Sequence, residues 1–122
     1  MTRTVWLFPR CTMKRVIDGD SVEIIADLGF GVAATVSVRL LGVDTPERGK
    51  EGYAEATEFT RTWLANAEGL RFECSGKDKY GGRWLGTLRD GMGESLTDSL
   101  IAAGMGVAYS GGKKAGGAGY GV

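Results

Sequence analysis

Residues 35–43 read Thr-Val-Ser-Val-Arg-Leu-Leu-Gly-Val, the most strand-like stretch of the chain. Its first half alternates apolar and polar residues and its second half is apolar on both faces, the patterns of β structure. Upstream, residues 27–34 carry Gly29 and Gly31 and read as a turn. Before them, residues 12–17 and 21–26 flank Asp18-Gly19-Asp20, and Asp-Gly between apolar runs signals a hairpin. Downstream the period changes. Across residues 53–67, Ala56, Phe59, Trp63, Leu64 and Ala67 fall on one helical face, with Glu55, Glu58 and Arg61 elsewhere. Residues 70–75 and 84–88 return to strand character across a glycine-containing connection. A last short helix is signalled by Ser95 with Asp98 three residues on, by Leu96 and Leu100, and by Gly104 as a left-handed stop. The order is five strands with a helix after the third, an α+β chain with two or three helices. That composition suits a small five-stranded barrel of the OB type.

With 122 residues the chain is sized for one domain. Residues 1–11 are expected to form a mixed, poorly ordered extension, residues 12–109 the domain, and residues 110–122 a glycine-rich flexible tail. Basic and acidic residues balance at 15 each, so no global basic field exists for tight counterion-releasing binding to nucleic acid. Histidine is absent, which removes histidine-based triads, histidine-ligated zinc and histidine acid–base pairs. Cys11 and Cys74 lack metal-ligand spacing and are expected as reduced, half-buried thiols. The longest early apolar run, residues 5–8, is too short for a signal-peptide core or a membrane span, so a cytoplasmic, monomeric protein without a membrane partner is expected.

Three charged stretches lie against strand ends: residues 18–21, residues 39–47 and residues 77–83. Asp20 and Asp44 can offer two carboxylates to a hard cation. Pro46 biases Thr45 to an extended conformation that leaves its carbonyl free. Calcium wants about 6 to 8 oxygens, so water and a substrate phosphate would complete the shell and affinity without nucleotide would be weak. On spacing alone, Asp18 and Asp20 serve equally well as turn formers and Asp44 as a strand cap. Arg39 interrupts an apolar strand, where a guanidinium must be paired or face a ligand. Glu47 is either its salt-bridge partner or, with Arg39 on a phosphate, the group that positions or deprotonates a water. Arg83 reads as a second phosphate clamp or as a solvated turn residue. Lys79 could bind a terminal phosphate, and Tyr80 and Tyr109 could stack on a base or pack at the rim.

Together these stretches closely resemble the staphylococcal nuclease (thermonuclease) family. The carriers are V-I-D-G-D-S-V at residues 16–22, V-R-L-L-G-V-D-T-P-E at 38–47, E-A-T-E-F-T at 55–60, D-K-Y-G-G-R-W-L at 78–85 and S-L-I-A-A-G-M-G-V-A-Y at 99–109. The resemblance implies an OB barrel that hydrolyses DNA and RNA, single-stranded or frayed, with calcium held by Asp20, Asp44 and the carbonyl of Thr45. It implies Glu47 as general base or water orienter, Arg39 and Arg83 on the five-coordinate phosphorus, and Lys79, Tyr80 and Tyr109 near the nucleotide. Two departures stand out. The family motif runs D-K-Y-G-R, whereas Gly81-Gly82 puts one more residue before Arg83, which is expected to displace it. The family's closing C-terminal helix is not visible after Tyr109. An alternative reading is a catalytically inactive OB-fold module that binds nucleic acid or protein, which fold analogy alone leaves open.

Overall fold

The structure of the chain is a computed structural model that describes residues 6–79 and 81–109. Along them run strands β1 (Trp6–Phe8), β2 (Cys11–Asp18), β3 (Ser21–Gly29), β4 (Val32–Leu40) and β5 (Val43–Asp44), then helix α1 (Tyr53–Asn66). Strands β6 (Arg71–Lys77) and β7 (Trp84–Arg89), helix α2 (Leu96–Ala102) and strand β8 (Val107–Ala108) follow. The α+β class is as expected, with two helices among the described residues. The sheet is larger than five strands: six strands in the order β1-β6-β7-β4-β3-β2, with β5 and β8 paired separately. It stays open, although the Cys11 N–H donates to the Leu70 carbonyl at 2.9 Å and draws the β2 edge toward the start of β6. The five strands β2, β3, β4, β6 and β7 are consistent with an OB-type barrel.

Three boundaries differ from the sequence reading, each for a local reason. Trp6–Phe8 lies in the stretch expected to be poorly ordered, yet it pairs antiparallel with β6, Trp6 opposite Cys74. Its aromatics explain why. The Phe8 ring lies at 6.4 Å from that of Phe72, and Trp6 meets Trp84 edge-on at 5.9 Å. The broad turn expected over residues 27–34 shrinks to Phe30-Gly31, because Phe30 itself accepts a left-handed φ of 58°. The strand expected over residues 35–43 breaks at Leu41-Gly42, where Gly42 has φ 88°, a conformation that costs glycine little. That break sends β5 away from the main sheet toward β8.

Val22, Ile24, Val38, Leu40, Val43, Phe72, Leu88, Leu96 and Leu100 form the buried core. Cys11 and Cys74 are free thiols within it, more deeply buried than expected at 8% and 2% exposure. Helix α1 buries Ala56, Thr57, Thr60 and Leu64, while Phe59 and Trp63 pack at its margin. The face is rotated toward threonines because Thr60 Oγ1 donates to the Gly19 carbonyl at 2.6 Å, tying the helix to the β2–β3 turn. Helix α2 starts as its sequence predicts: Ser95 Oγ accepts from the Asp98 N–H at 2.9 Å. No helix among the described residues is long and apolar enough to cross a membrane.

Candidate active site

The β2–β3 hairpin turns at Gly19-Asp20, with Asp18 opposite Ser21. This turn is pressed against both α1 and the exit of β5. A Cβ on Gly19 would meet Ala56 Cβ and two Thr45 side-chain atoms at 3.0 Å each, so only glycine fits without displacement. The close approach puts Asp20 beside Thr45, whose N–H donates to Asp20 Oδ2 at 3.0 Å. Ser21 pairs across the ladder with Arg39 of β4, so the outer face of that strand carries Arg39 to the same corner.

Arg39 is the hub. Its Nη1 donates to the carbonyls of Leu40 and Val43 at 2.9 Å each and lies 3.3 Å from Asp20 Oδ2, while its Nη2 reaches Asp44 Oδ1 at 3.2 Å. The Leu41-Gly42 break makes this possible, because it folds Val43–Asp44 back over the arginine that precedes it. The sequence left Arg39 either paired with Glu47 or facing a phosphate; the structure pairs it with Asp20 and Asp44. Two carboxylates thus share one guanidinium, and the trio keeps a net negative charge in a corner where the Arg39 side chain is 16% exposed.

Arg83 joins from the other side. Its Nη2 donates to Asp78 Oδ2 at 3.0 Å and its Nη1 to Ser21 Oγ at 3.3 Å, and Ser21 Oγ in turn donates to Asp20 Oδ1 at 3.3 Å. The glycine pair builds this return. Gly82 takes φ 69°, and a Cβ on Gly81 would meet Asp78 Oδ2 at 2.8 Å and Arg83 Nε at 2.9 Å. The longer loop therefore ends with Arg83 connected through Ser21 to Asp20. Ser21 and Asp78 were not among the residues singled out from the sequence. Asp78 was detectable as the opposite charge five residues before Arg83, and Ser21 only through its neighbour Asp20.

The remaining candidates divide. The Tyr109 N–H donates to the Gly42 carbonyl at 3.0 Å, and its ring lies 6.0 Å from the Arg39 guanidinium. Glu47 is exposed and lines an open cleft of about 430 Å³ with Asp44, Thr45, Lys50 and Val107. Lys79 is exposed in the turn before Arg83. Tyr80 lies outside the described residues, as does the glycine-rich stretch from Ser110.

The corner suits a hard divalent cation. Asp20 and Asp44 supply anionic oxygens, and Thr45 Oγ1 is buried without a hydrogen-bond partner among the described residues. No cluster of three or more acidic, cysteine or histidine side chains occurs among the described residues, so such an ion would depend on backbone, water or substrate oxygens as well.

The family model described as staphylococcal nuclease homologue matches residues 37–117, more than half of the chain. The matched span takes in Arg39, Asp44, Thr45, Glu47, Arg83 and Tyr109 but begins after Asp20, which joins the group through its contacts with Arg39 and Thr45. The chain is also similar to a thermonuclease of Staphylococcus intermedius, 40% identical over 85 aligned positions that cover 61% of this chain and 48% of that protein. It thus spans about half the length of that relative.

Proposed function

The chain belongs to the staphylococcal nuclease homologue family, and from that membership we propose that it is a calcium-dependent nuclease that hydrolyses the phosphodiester backbone of single-stranded or frayed DNA and RNA with little regard for sequence. The observation that carries this reading is the convergence of Asp20, Arg39, Asp44 and, by way of Ser21, Arg83 on one corner through contacts of 3.2–3.3 Å.

Asp20, Asp44 and the Thr45 carbonyl would hold the calcium, which when bound supplies Lewis-acid polarisation of the phosphate. The protein's own groups do the rest. The Thr45 N–H fixes one Asp20 oxygen and Ser21 the other, so the carboxylate is oriented before substrate arrives. Arg39 is anchored by two carbonyls through Nη1, and no acceptor meets its Nε among the described residues, leaving that edge for a phosphate oxygen. Arg83 approaches from the Ser21 side and neutralises charge on the same phosphorus. Glu47, exposed on the cleft and without an ion pair among the described residues, accepts the proton of an attacking water. The Tyr109 ring beside Arg39 offers a face for the adjoining base, a contact that accepts any base. In this reading Lys79 would bind a terminal phosphate and Tyr80 would stack on a base.

The test is cleavage of labelled single-stranded DNA and, separately, RNA by the purified chain in calcium, in EGTA, and with Glu47→Gln. Calcium-dependent cleavage that falls by about 100-fold or more in the variant is expected, the usual range for losing a general base. Retained binding with no cleavage in calcium would instead identify a nucleic-acid-binding module.

A further inference from the structure

We infer that Tyr53 is a positioning residue: it fixes the loop that carries Glu47 by fastening it to the same hairpin that carries Asp20. The catalytic side of this inference rests on the reading of Glu47 as the group that takes the proton of the attacking water. Glu47 sits on residues 45–52, which join β5 to α1 without a strand or helix of their own. Connections of this kind are ordinarily the more mobile parts of a domain. This one is built from two successive turns, in which the Lys50 N–H donates to the Glu47 carbonyl at 2.9 Å and the Tyr53 N–H to the Lys50 carbonyl at 3.1 Å.

Both ends of the connection are tied to one place. At its start the Thr45 N–H donates to Asp20 Oδ2 at 3.0 Å. At its end the Tyr53 hydroxyl donates to Asp18 Oδ1 at 2.9 Å, with the Ile17 carbonyl oxygen at 3.1 Å as a second acceptor for the same proton. Ile17 and Asp18 close β2 and Asp20 lies in the turn that follows, so one hairpin holds both feet of the loop. The neck between the feet is narrow. Gly52 takes φ 90°, and a Cβ there would come within 3.2 Å of Pro46 Cγ. The Arg48 guanidinium lies 5.4 Å from the centre of the Tyr53 ring, which packs the residue next to Glu47 onto the anchor.

The hydroxyl does more than dock the helix. Helix α1 is already tied to this hairpin by Thr60, whose Oγ1 meets the Gly19 carbonyl, and it buries Ala56, Thr57 and Leu64 besides. What Tyr53 adds is the position of the chain before the helix. Glu47 lies exposed on the cleft it shares with Asp44, and its carboxylate has no ion pair among the described residues. Its place relative to the Asp20–Asp44 corner is therefore set by its backbone, and that backbone is set by Thr45 and Tyr53. A misplacement of about 1 Å at a reacting group costs on the order of 100-fold in rate, so releasing one of two anchors is expected to cost about tenfold.

Tyr53→Phe tests this, since it keeps the ring and its contact with Arg48 and removes only the hydroxyl. In calcium, cleavage of labelled single-stranded DNA should show kcat lowered about tenfold, with KM and the calcium midpoint unchanged. In a Glu47→Gln background the same substitution should change nothing further, because its effect passes through Glu47. A fall of about tenfold in both backgrounds, or an unchanged kcat in the single variant, overturns the inference. Amide nitrogen order parameters, measured without calcium or substrate, read the anchoring apart from activity. At Arg48 and Lys50 they should be about 0.85 in the native chain and fall toward about 0.6 in Tyr53→Phe, with Val22 and Val38 unchanged as proof that the variant is folded. A native chain that cleaves nothing sinks the nuclease reading alone, and the order parameters then decide the anchoring. A loop already below about 0.6 in the native chain, or equally ordered in both proteins, overturns it.

Discussion

Replacing Arg39 by lysine keeps the charge and removes the fork, so it separates electrostatics from geometry at the hub of the site. In the native chain the guanidinium meets two carbonyls at 2.9 Å, Asp20 at 3.3 Å and Asp44 at 3.2 Å, using two nitrogens that face different partners. An ammonium is one point on a flexible stem and cannot span both nitrogen positions. It forfeits the Asp44 contact and, where the stem falls short, one carbonyl. Hydrogen bonds to charged groups contribute ~1.5–3 kcal/mol each, and solvent recovers part of the loss at Asp44, so about 2–4 kcal/mol of stability should disappear. For a domain of this size that lowers the melting temperature by roughly 10–25 °C. Urea unfolding followed by tryptophan fluorescence reads it directly. Calcium should restore more stability to the variant than to the native chain, because the carboxylates it would neutralise have lost part of their counter-ion. A variant within ~0.5 kcal/mol of native, with calcium stabilising both alike, would refute the idea that Arg39 organises the corner.

Three further outcomes follow from contacts elsewhere. In Gly86→Ala the new Cβ would lie 2.2 Å from the Glu73 carbonyl oxygen and 2.6 Å from Phe72 Cε1, so the variant should lose ~4 kcal/mol or more and fail to give a cooperative melt. Thr60→Val removes the 2.6 Å bond to the Gly19 carbonyl while keeping shape. Leaving that carbonyl unpaired should cost about 1–3 kcal/mol, read as a shift in the urea midpoint. Burial pushes the Cys11 thiol up from its ordinary value near 9 to about 11, and Cys74 in the same direction. The folded state therefore holds these protons more tightly than the unfolded chain. Stability from this source is complete below pH ~9 and is lost as the pH rises toward ~11, by up to about 3 kcal/mol. Urea midpoints at pH 8 and 10.5 should differ in the native chain and differ less in Cys11→Ala.

What could be read from the sequence depended on whether the signal was local. The Asp18-Gly19-Asp20 turn, the Ser95 cap and the extent of helix α1 are set by neighbours within a few residues and stand where the pattern put them, whereas the buried face of α1 is turned toward Thr57 and Thr60 by its contact with the Gly19 carbonyl. Trp6–Phe8 was not legible, since three residues before a proline become a strand only when Phe72 and Trp84 supply the surface. The ion-pair partners of Arg39 were not legible for a related reason. Glu47 follows a rigid turn and looked close, but the break at Gly42 folds Asp44 back first, and Asp20 arrives from another strand. Ser21 and Asp78 acquire their significance only when β3 and the 78–83 loop are brought together.

The parallel pairing of Val38 with Trp84, and the antiparallel pairing of Asp44 with Val107 in the small sheet, also bear on when the site comes into being. Asp20, Arg39 and Asp44 leave the ribosome early, yet the strands that hold Arg39 from the side and pin Asp44 from above lie about 45 and 60 residues later. Closing loops of that length is entropically costly and slow, so these contacts belong to the last stage of folding. A nascent chain carrying every early carboxylate would still lack the geometry of the corner. Amide exchange should protect the β3–β4 ladder before it protects Val43 and Asp44. Acquisition of an organised site would then be timed by the arrival of the final short strand rather than by the residues that populate the site.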